Sequence, residues 1–324
     1  MKAVVLVGGQ GTRLRPLTLT TPKQMLPVGG RPMIEQVIGH LVTHGVEEVV
    51  LSLGYRPDAF LTAYPDGTCS GASLRYAVED HPLDTAGAIA FAARRAGLDE
   101  TFLVVNGDVI TGLDVGALVQ FHSTVAAVAT IALTPVEDPS AFGVVATDAD
   151  GRVEAFVEKP PPGEASSNLI NAGTYVLEPA ALDDVSEGAT ASIERETFPE
   201  LVRRGGLFAM ASDADWVDTG TPATYLSANL RYASDSGASG EGRVRHSVLG
   251  AGVCVEAGAT VEDSVLFDGV RVYGGATVRA SVIGSRAEIR SGAEVVEWSL
   301  FADGASVPPR SHVRSGRVEA APGS

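Results

Sequence analysis

A glycine-rich segment near the N-terminus carries residues suited to holding phosphate groups. It follows the apolar run 3–7, which predicts a buried parallel strand, and reads GGQGTRLRP from Gly8 to Pro16. Glycines let backbone N–H groups approach phosphate oxygens, and arginine can bind a phosphate through two parallel hydrogen bonds. Leu14 stands where a dinucleotide fingerprint needs a small residue, and the sequence lacks the Gly-Lys-Ser/Thr of a P-loop. We therefore expect a phosphate loop of another kind, with a turn bearing solvated arginines as the alternative.

Two aspartates lie where a divalent cation is commonly held. Asp108 ends the apolar run TFLVVNGD, and Asp218 lies in WVDTGTPATY. A carboxylate at the carboxyl end of a parallel strand, beside a phosphate loop, is well placed to bind Mg²⁺. Lys23, in TPKQMLPV, adds a compact cation ten residues after Arg13. The set indicates metal-assisted phosphoryl transfer, whereas a turn or helix-cap role is the alternative for each aspartate alone.

No residue pattern indicates a covalent enzyme intermediate. The serines lack a GxSxG context, and the six histidines form no HExxH pair. Cys69 and Cys254 lie outside any CxxC spacing, which argues against a disulfide scaffold and a cysteine zinc site. Direct displacement at phosphorus fits this inventory.

Alternating strands and helices must position these residues. The pattern predicts a doubly wound α/β sheet, with ligands at the carboxyl ends of its strands. A hairpin is expected around Asp150-Gly151. Strands are expected at 3–7, 47–54, 73–79, 101–108, 126–135 and within 143–160. Helices are expected at 31–44, 85–96, 192–204 and 221–233.

The sequence pattern changes from Val244 onward. Apolar residues recur every six positions, in triplets that start 17 residues apart, and Leu300 continues the series. This hexapeptide period with glycines at corners predicts a β-helix, and its small number of coils predicts self-association. The nine positions in register are Leu249, Val255, Val261, Leu266, Val272, Val278, Ile283, Ile289 and Val295.

Composition narrows the class of protein. The chain has 324 residues, 45% of them apolar, and a formal net charge of −16. Such a length suggests two domains, which we place at 1–234 and 243–324 with a polar linker at 235–242. The acidic balance argues against nucleic-acid binding. The apolar runs are of strand length, and the N-terminus lacks the features of a signal peptide. We expect a cytoplasmic protein that does not contact membranes.

The motifs together resemble one family. GGQGTRLRPLTLTTPKQMLPV, NGD, FVEKP, INAGTY and WVDTGTPATY, in this order, resemble the sugar-1-phosphate nucleotidyltransferases, and the hexapeptide tail resembles their longer members. The resemblance covers essentially the whole chain. It implies a Rossmann-like mixed-sheet domain followed by a short left-handed β-helix. It also implies that an NTP and a sugar 1-phosphate react, with Mg²⁺, to give an NDP-sugar and pyrophosphate.

The resemblance implies site residues position by position. Arg13 would neutralise triphosphate charge, and Lys23 would contact the reacting phosphates. The implied catalytic residues are Arg13, Lys23, Asp108 and Lys159, and Asp108 and Asp218 are the implied metal ligands. The implied nucleotide-binding residues are Leu6, Gly8, Gly9, Gly11, Thr12, Glu79, Asp84 and Thr85. The implied sugar-phosphate residues are Asn106, Gly107, Gly143, Glu158, Lys159, Asn171, Ala172 and Gly173.

Glu79 bears on the choice of base. By resemblance, uridylyl- and thymidylyltransferases tend to have glutamine at this position. An ionised carboxylate only accepts hydrogen bonds, and guanine offers it two adjacent donors, N1–H and N2–H₂. A solvated glutamate at a strand end is the alternative. The sequence departs from the family pattern PLGTAG at Asp84, where glycine is common, and this adds a side chain near the expected base site.

Several functions fit this resemblance. We expect guanylyl transfer from GTP to mannose 1-phosphate, giving GDP-mannose. Guanylyl transfer to another sugar or cyclitol phosphate, and uridylyl or thymidylyl transfer to glucose 1-phosphate, keep the same chemistry. A regulatory paralogue that binds an NDP-sugar without catalysis is a non-enzyme alternative, although all five charged residues of the implied machinery are present. Acyl transfer by the hexapeptide tail has little support, because His246 and His312 lie at its margins. A homodimer or homotetramer is expected.

Overall fold

The computed structural model describes residues 1–233 and 239–320. Six α-helices lie in these ranges: α1 Met33–Thr43, α2 Pro57–Ala63, α3 Asp84–Ala96, α4 Val115–Val125, α5 Phe198–Arg204 and α6 Pro222–Leu230. Short 3₁₀ turns cover Thr12–Leu14, Leu17–Leu19, Lys23–Met25 and Pro179–Leu182, and a π-helical turn covers Ile193–Thr197. Within the described ranges, no helix combines the length and the apolar character needed to cross a membrane.

Within residues 1–233, fourteen strands are described. They are β1 Lys2–Leu6, β2 Pro27–Val28, β3 Arg31–Pro32, β4 Glu48–Leu53, β5 Thr68–Cys69, β6 Ala72–Val78, β7 Phe102–Asn106, β8 Val109–Thr111, β9 Ala129–Pro135, β10 Gly143–Thr147, β11 Val153–Glu158, β12 Leu169–Leu177, β13 Leu207–Ala211 and β14 Trp216–Asp218.

The main sheet has the order β11-β10-β12-β7-β1-β4-β6-β5. Its centre is parallel, because β1 pairs with β4 and β7, and β4 pairs with β6, in parallel register. Strand β12 runs antiparallel to β7, and β10 runs antiparallel to β11 through a turn at Gly151, which has φ 82°. The mixed doubly wound sheet and the predicted hairpin are thus confirmed.

The chain forms two compact units that interleave along the sequence. One consists of Met1–Gly9 and Val37–Trp216, and the other of Gln10–Gln36 and Val217–Ser324. The first contains the main sheet; the second contains most of the glycine-rich loop and the β-helix. The domain boundaries predicted at 234 and 243 rest on a change in sequence pattern, and they stay a prediction. Residues 235–238 of the predicted linker and residues 321–324 of the tail lie outside the described residues.

The hexapeptide region forms the predicted left-handed β-helix, with three parallel sheets of five, five and four strands. Of the nine predicted core positions, eight are buried, and Leu249 packs against them half-buried. The strands are β15 Arg243–Arg245, β16 Val248–Leu249, β17 Cys254–Val255, β18 Thr260–Glu262, β19 Val265–Leu266, β20 Arg271–Val272, β21 Thr277–Arg279, β22 Val282–Ile283, β23 Glu288–Ile289, β24 Glu294–Val296, β25 Leu300–Phe301, β26 Ser306–Val307, β27 His312–Arg314 and β28 Arg317–Val318.

One register prediction is wrong. Ile283 pairs with Phe301, and Val282 pairs with Leu300, so Phe301 rather than Leu300 continues the series. The cause is one additional residue in the corner before β25. Glu297 and Trp298 both adopt left-handed backbone there, with φ 54° and 57°, whereas at the equivalent corner of the preceding coil Ala280 does so, with φ 46°.

A column of buried serines links successive coils of the β-helix. The hydroxyl of Ser264 donates to the carbonyl of Glu262, two residues earlier, and accepts the backbone N–H of Ser281 in the next coil. Ser247 accepts the N–H of Ser264 in the same way, and Ser299 accepts that of Gly316. Each hydroxyl is therefore satisfied in the interior, as buried polar groups require.

Candidate active site

The glycine-rich loop is folded tightly at Gly11. This residue has φ 57°, and a Cβ built on it would lie 2.9 Å from Cγ2 of Thr18 and 3.2 Å from Cβ of Lys23. The Thr18 hydroxyl donates to the Gly11 carbonyl over 2.8 Å. Glycine is required here because both the backbone conformation and the space exclude a side chain. The fold leaves Thr12 and Arg13 exposed on a 3₁₀ turn and buries Lys23 to 6% exposure.

Arg13, Lys23 and Asp218 meet around Gly220, all within the second unit. Nζ of Lys23 lies 3.7 Å from Oδ1 of Asp218. A Cβ built on Gly220 would lie 2.8 Å from Nη2 of Arg13 and 2.9 Å from Oδ1 of Asp218. Two cations and a carboxylate are thus held together, as the resemblance implies for a site that receives phosphate groups and a divalent cation.

Gly8 and Gly9, in the first unit, leave an open surface at the end of β1. Nothing lies within 4 Å of a Cβ built on either residue. A Cβ built on Gly54 would lie 3.9 Å from Cα of Gly8 and 3.9 Å from Oε2 of Glu79. The glycines of two neighbouring strand ends and the Glu79 carboxylate therefore lie side by side.

The half-buried Glu79 carboxylate is held at both oxygens. Oε1 accepts the Ser52 hydroxyl, and Oε2 accepts the backbone N–H of Leu83, each over 3.1 Å. A carboxylate oxygen can accept two hydrogen bonds, so each oxygen keeps one accepting direction. The side chain is therefore fixed rather than solvated, and its remaining capacity suits two adjacent donors.

Asp84 begins α3 in the left-handed region, with φ 57°. This accounts for the departure from the family pattern: the backbone at this position is one that glycine adopts without strain and that aspartate tolerates better than most residues. Oδ1 of Asp84 accepts the N–H of Thr85 over 2.8 Å. The added side chain is thus turned back onto its own backbone.

We predict that Asp84→Ala will lower stability by about 1–2 kcal/mol, whereas Asp84→Gly will stay within about 1 kcal/mol of the parent. Alanine keeps the Cβ strain and loses both the local hydrogen bond and the acidic charge at the helix start. Glycine loses the same groups but removes the strain. Thermal unfolding of the two variants measures the difference. Equal midpoints for both would contradict the argument from backbone strain.

The ends of β1 and β7 approach closely at Gly107. Its N–H donates to the Leu6 carbonyl over 2.9 Å, and a Cβ there would lie 2.8 Å from that oxygen. Glycine at this position lets the chain pass close to β1 before it reaches half-buried Asp108. Asn106 lies directly opposite Leu6 in the parallel register. Leu6, Asn106 and Gly107 are thus brought together below Asp108.

A bulge in β12 carries the INAGTY motif. The pairing of β12 with β9 shifts register between Asn171 and Tyr175, and Gly173 has φ 73°. Oδ1 of Asn171 accepts the Gly173 N–H, and its amide donates to the Tyr175 hydroxyl over 2.9 Å. The indole N–H of Trp216 donates to the Ala172 carbonyl. The bulge is therefore fixed by two side chains outside the predicted site, Tyr175 and Trp216.

Tyr175 also lies within the fields of several carboxylates. Burial raises the pKa of its hydroxyl, and the charges of Glu194, Glu158 and Asp108 raise that pKa further, against the opposing hydrogen bond from Asn171. The hydroxyl therefore stays protonated at neutral pH and remains a neutral polar group.

The FVEKP motif and Gly143 form a third group. Gly143 lies opposite Glu158 in the hairpin register, and a Cβ on it would lie 2.6 Å from Cζ of Phe156 and 3.0 Å from Oε2 of Glu158. Nζ of Lys159 lies 3.2 Å from Oε1 of Glu158, on an exposed side chain. The pair combines a carboxylate, which can accept hydrogen bonds from hydroxyls, with an exposed cation of the kind that binds phosphate.

Each unit offers a carboxylate that suits a hard cation, Asp108 in the first unit and Asp218 in the second. Within residues 1–233 and 239–320, no cluster of three or more His, Cys, Asp or Glu side chains could hold a metal by itself. Mg²⁺ is usually bound by one or two carboxylates, with phosphates and water completing its shell. The carboxylates of Asp108 and Asp218 are ligands of this type.

The sequence analysis did not predict three residues that lie against the predicted site residues. Gly220, Tyr175 and Trp216 all lie in the motifs WVDTGTPATY and INAGTY, which was the available signal. The Thr85 hydroxyl donates to Glu194 over 2.7 Å, and the role of Thr85 in nucleotide binding stays a prediction. The other predicted residues lie as described above, each within its own unit.

Two family models match this chain. Residues 2–235 match the family described as nucleotidyl transferase, and residues 232–313 match the GlmU-like C-terminal hexapeptide family. The chain is 42% identical over 226 residues to a mannose-1-phosphate guanylyltransferase of Mycobacterium tuberculosis, covering 69% of the chain and 62% of that relative. It is 42% identical to mannose-1-phosphate guanylyltransferase 1 of Arabidopsis thaliana, covering 73% and 65%. The match thus spans less than two thirds of the length of these curated relatives.

A solved structure shares the fold. HddC from Yersinia pseudotuberculosis, complexed with GMP-PN, superposes with a TM-score of 0.62 at 28% identity, covering 71% of the chain and 99% of HddC. The family match covers both the glycine-rich loop and the motifs that follow it. The chain therefore belongs to the nucleotidyl transferase family and carries a GlmU-like hexapeptide region after the transferase region.

Proposed function

We propose that the protein makes an NDP-sugar and pyrophosphate from an NTP and a sugar 1-phosphate. The grouping of Arg13, Lys23 and Asp218 around Gly220 carries this proposal. A buried lysine and an arginine beside a carboxylate suit a triphosphate that arrives with a divalent cation. Family membership and the names of the relatives support the same reaction.

In the proposed reaction, a phosphate oxygen of the sugar 1-phosphate attacks the α-phosphorus of the NTP. The new P–O bond forms in line with the bond that breaks, and pyrophosphate leaves with that electron pair. Arg13 and Lys23 stabilise charge on the reacting phosphates, and Lys159 binds the phosphate of the sugar. Glu158 accepts hydrogen bonds from sugar hydroxyls, and the segment from Asn171 to Gly173 lines the sugar pocket.

We assign Mg²⁺ to Asp108 and Asp218. When bound, Mg²⁺ screens the triphosphate and polarises the α-phosphate. The remaining contribution of the chain is to position the phosphates and neutralise their charge, which accounts for much of phosphoryl-transfer catalysis.

We propose GTP as the nucleotide. The fixed Glu79 carboxylate keeps one accepting direction on each oxygen, and guanine presents two adjacent donors to such a group. Uracil and thymine present acceptors around a single N–H, which leaves a half-buried carboxylate partly unsatisfied. The names of the curated relatives point to the same base.

Glu79→Gln should lower the preference for GTP over UTP about tenfold. Glutamine can still accept the Leu83 N–H, so the loop stays closed, but the charge and one acceptor are lost. Measuring kcat/KM for both nucleotides tests this. Asp80→Asn, at the exposed neighbouring position, is the control. An unchanged GTP:UTP ratio would remove Glu79 from base recognition.

For the sugar, we propose mannose 1-phosphate. Pyrophosphate release with Mg²⁺ should be measured for GTP, UTP, dTTP, ATP and CTP against mannose, glucose and other sugar 1-phosphates. The expected result is dominant turnover of GTP with mannose 1-phosphate. Turnover of GTP with a different sugar or cyclitol phosphate would keep the mechanism and change the substrate. No turnover in any combination, with NDP-sugar binding intact, would indicate the non-catalytic paralogue. A homo-oligomer and a cytoplasmic location stay predictions.

A further inference from the structure

A segment about 100 residues downstream holds the start of α3. The carbonyl of Ala191 accepts the N–H groups of Ala86 and Gly87 over 2.8 and 3.1 Å, and its N–H donates to the Leu83 carbonyl. A Cβ built on Gly87 would lie 2.3 Å from the Ala189 carbonyl oxygen. The backbones of the two segments are therefore in direct contact, and Gly87 permits it.

Glu194 completes this attachment with its side chain. Its Oε2 accepts the Thr85 hydroxyl over 2.7 Å and the Ser192 hydroxyl over 3.0 Å. The Thr85 hydroxyl in turn accepts the Ile193 N–H over 2.9 Å. Glu194 lies half-buried on the π-helical turn Ile193–Thr197, a rare local structure that is frequent at functional sites.

These contacts connect through Leu83 to Glu79, the carboxylate that we propose binds the base. Leu83 donates its N–H to Glu79 and its carbonyl accepts from Ala191, so one residue joins the two contacts. Thr85 lies two residues farther on. The hydrogen bond from Thr85 to Glu194 and the backbone bonds to Ala191 therefore act together on the peptide that holds Glu79.

We propose that Glu194 is a positioning residue that sets the segment Glu79–Gly87 for recognition of the base. It acts through Thr85 and Leu83 and does not touch the nucleotide. The inference rests on the proposed function, because it assigns Glu79 to the base. The proposal places part of the base specificity in residues 192–198 (SIERETF), which are distant in sequence from Glu79.

Three variants test the proposal. Glu194→Ala and Thr85→Val should each raise the KM for GTP about tenfold, with kcat changed less than threefold, and lower the GTP:UTP preference. The double variant should lose less than the sum of the two single variants, since both remove the hydrogen bond between Thr85 and Glu194. Glu194→Gln, which keeps an acceptor for Thr85, should recover most of the parental KM.

Glu196→Ala is the matched control. Glu196 lies on the same turn and accepts the Ser192 N–H over 2.9 Å, so its loss also removes a local hydrogen bond. We expect a lower thermal midpoint and an unchanged KM for GTP. A merely structural role for Glu194 would give the same result as this control. Additive effects in the double variant, or an unchanged KM in Glu194→Ala, would overturn the proposal.

A binding measurement distinguishes failure of this proposal from failure of the proposed reaction. The affinity for a non-hydrolysable GTP analogue with Mg²⁺ is measured by calorimetry, and it should fall about tenfold in Glu194→Ala. If the parent protein binds the analogue but turns over no sugar phosphate, the proposed reaction fails while the role of Glu194 is still tested. A parent that binds no GTP analogue would overturn both.

Discussion

Asp218→Asn is expected to lower Mg²⁺-dependent turnover by about 10³-fold in a protein that remains folded. Asparagine has nearly the same shape, so the packing around Gly220 is kept. The substitution removes a negative charge that, in the proposal, interacts with both the divalent cation and Lys23. Because Nζ of Lys23 lies 3.7 Å from Oδ1 of Asp218, a lower thermal midpoint should accompany the loss of turnover.

The measurement is pyrophosphate release over a titration of Mg²⁺, with circular dichroism as the test of folding. Asp213→Asn is the control, because Asp213 is an exposed carboxylate five residues earlier in the same segment. Turnover within about tenfold of the parent, with an unchanged dependence on Mg²⁺, would remove Asp218 from the metal site.

Gly220→Ala is expected to reduce kcat/KM about 100-fold with little change in folding. The new methyl group would lie 2.8 Å from Nη2 of Arg13 and 2.9 Å from Oδ1 of Asp218. Nη2 is the end of a long, flexible side chain and can move aside, whereas Oδ1 of Asp218 pairs with Lys23, so we expect a small decrease in the thermal midpoint. Catalysis is sensitive to the same movement, because a displaced guanidinium no longer meets the reacting phosphates.

Gly39→Ala is the matched control for this substitution. Gly39 lies within α1, and a Cβ there meets Ser70 at 3.8 Å, an ordinary contact. It should leave turnover unchanged. A Gly220→Ala protein with parental kcat/KM would show that Arg13 and Asp218 do not need their observed positions.

The periodicity of the sequence predicted most of the fold for a physical reason. Parallel strands buried on both faces form continuous apolar runs, and the coils of a β-helix repeat their core positions at a fixed spacing. Both patterns are local in sequence. The register error at Leu300 came from a corner, where the length of the chain is set by backbone conformation at Glu297 and Trp298 rather than by apolar residues.

The site was predicted less completely, because part of it depends on contacts between distant segments. Motifs identified the charged residues and the glycines that lie beside them. The bond between Thr85 and Glu194 joins residues 109 positions apart, and no spacing in the sequence indicates it. The conformation of Asp84 likewise follows from the start of α3 and cannot be read from the residue type.

The buried serine column has a consequence for how the β-helix moves. The amide hydrogens of Ser264 and Ser281 point at a hydroxyl of the neighbouring coil, so separating two coils exposes an amide and a side-chain oxygen together. Local opening therefore costs two buried polar groups at once, which makes it cooperative across the corner. The smallest element that can open is a pair of coils, and exchange of these amides with solvent reports that opening directly.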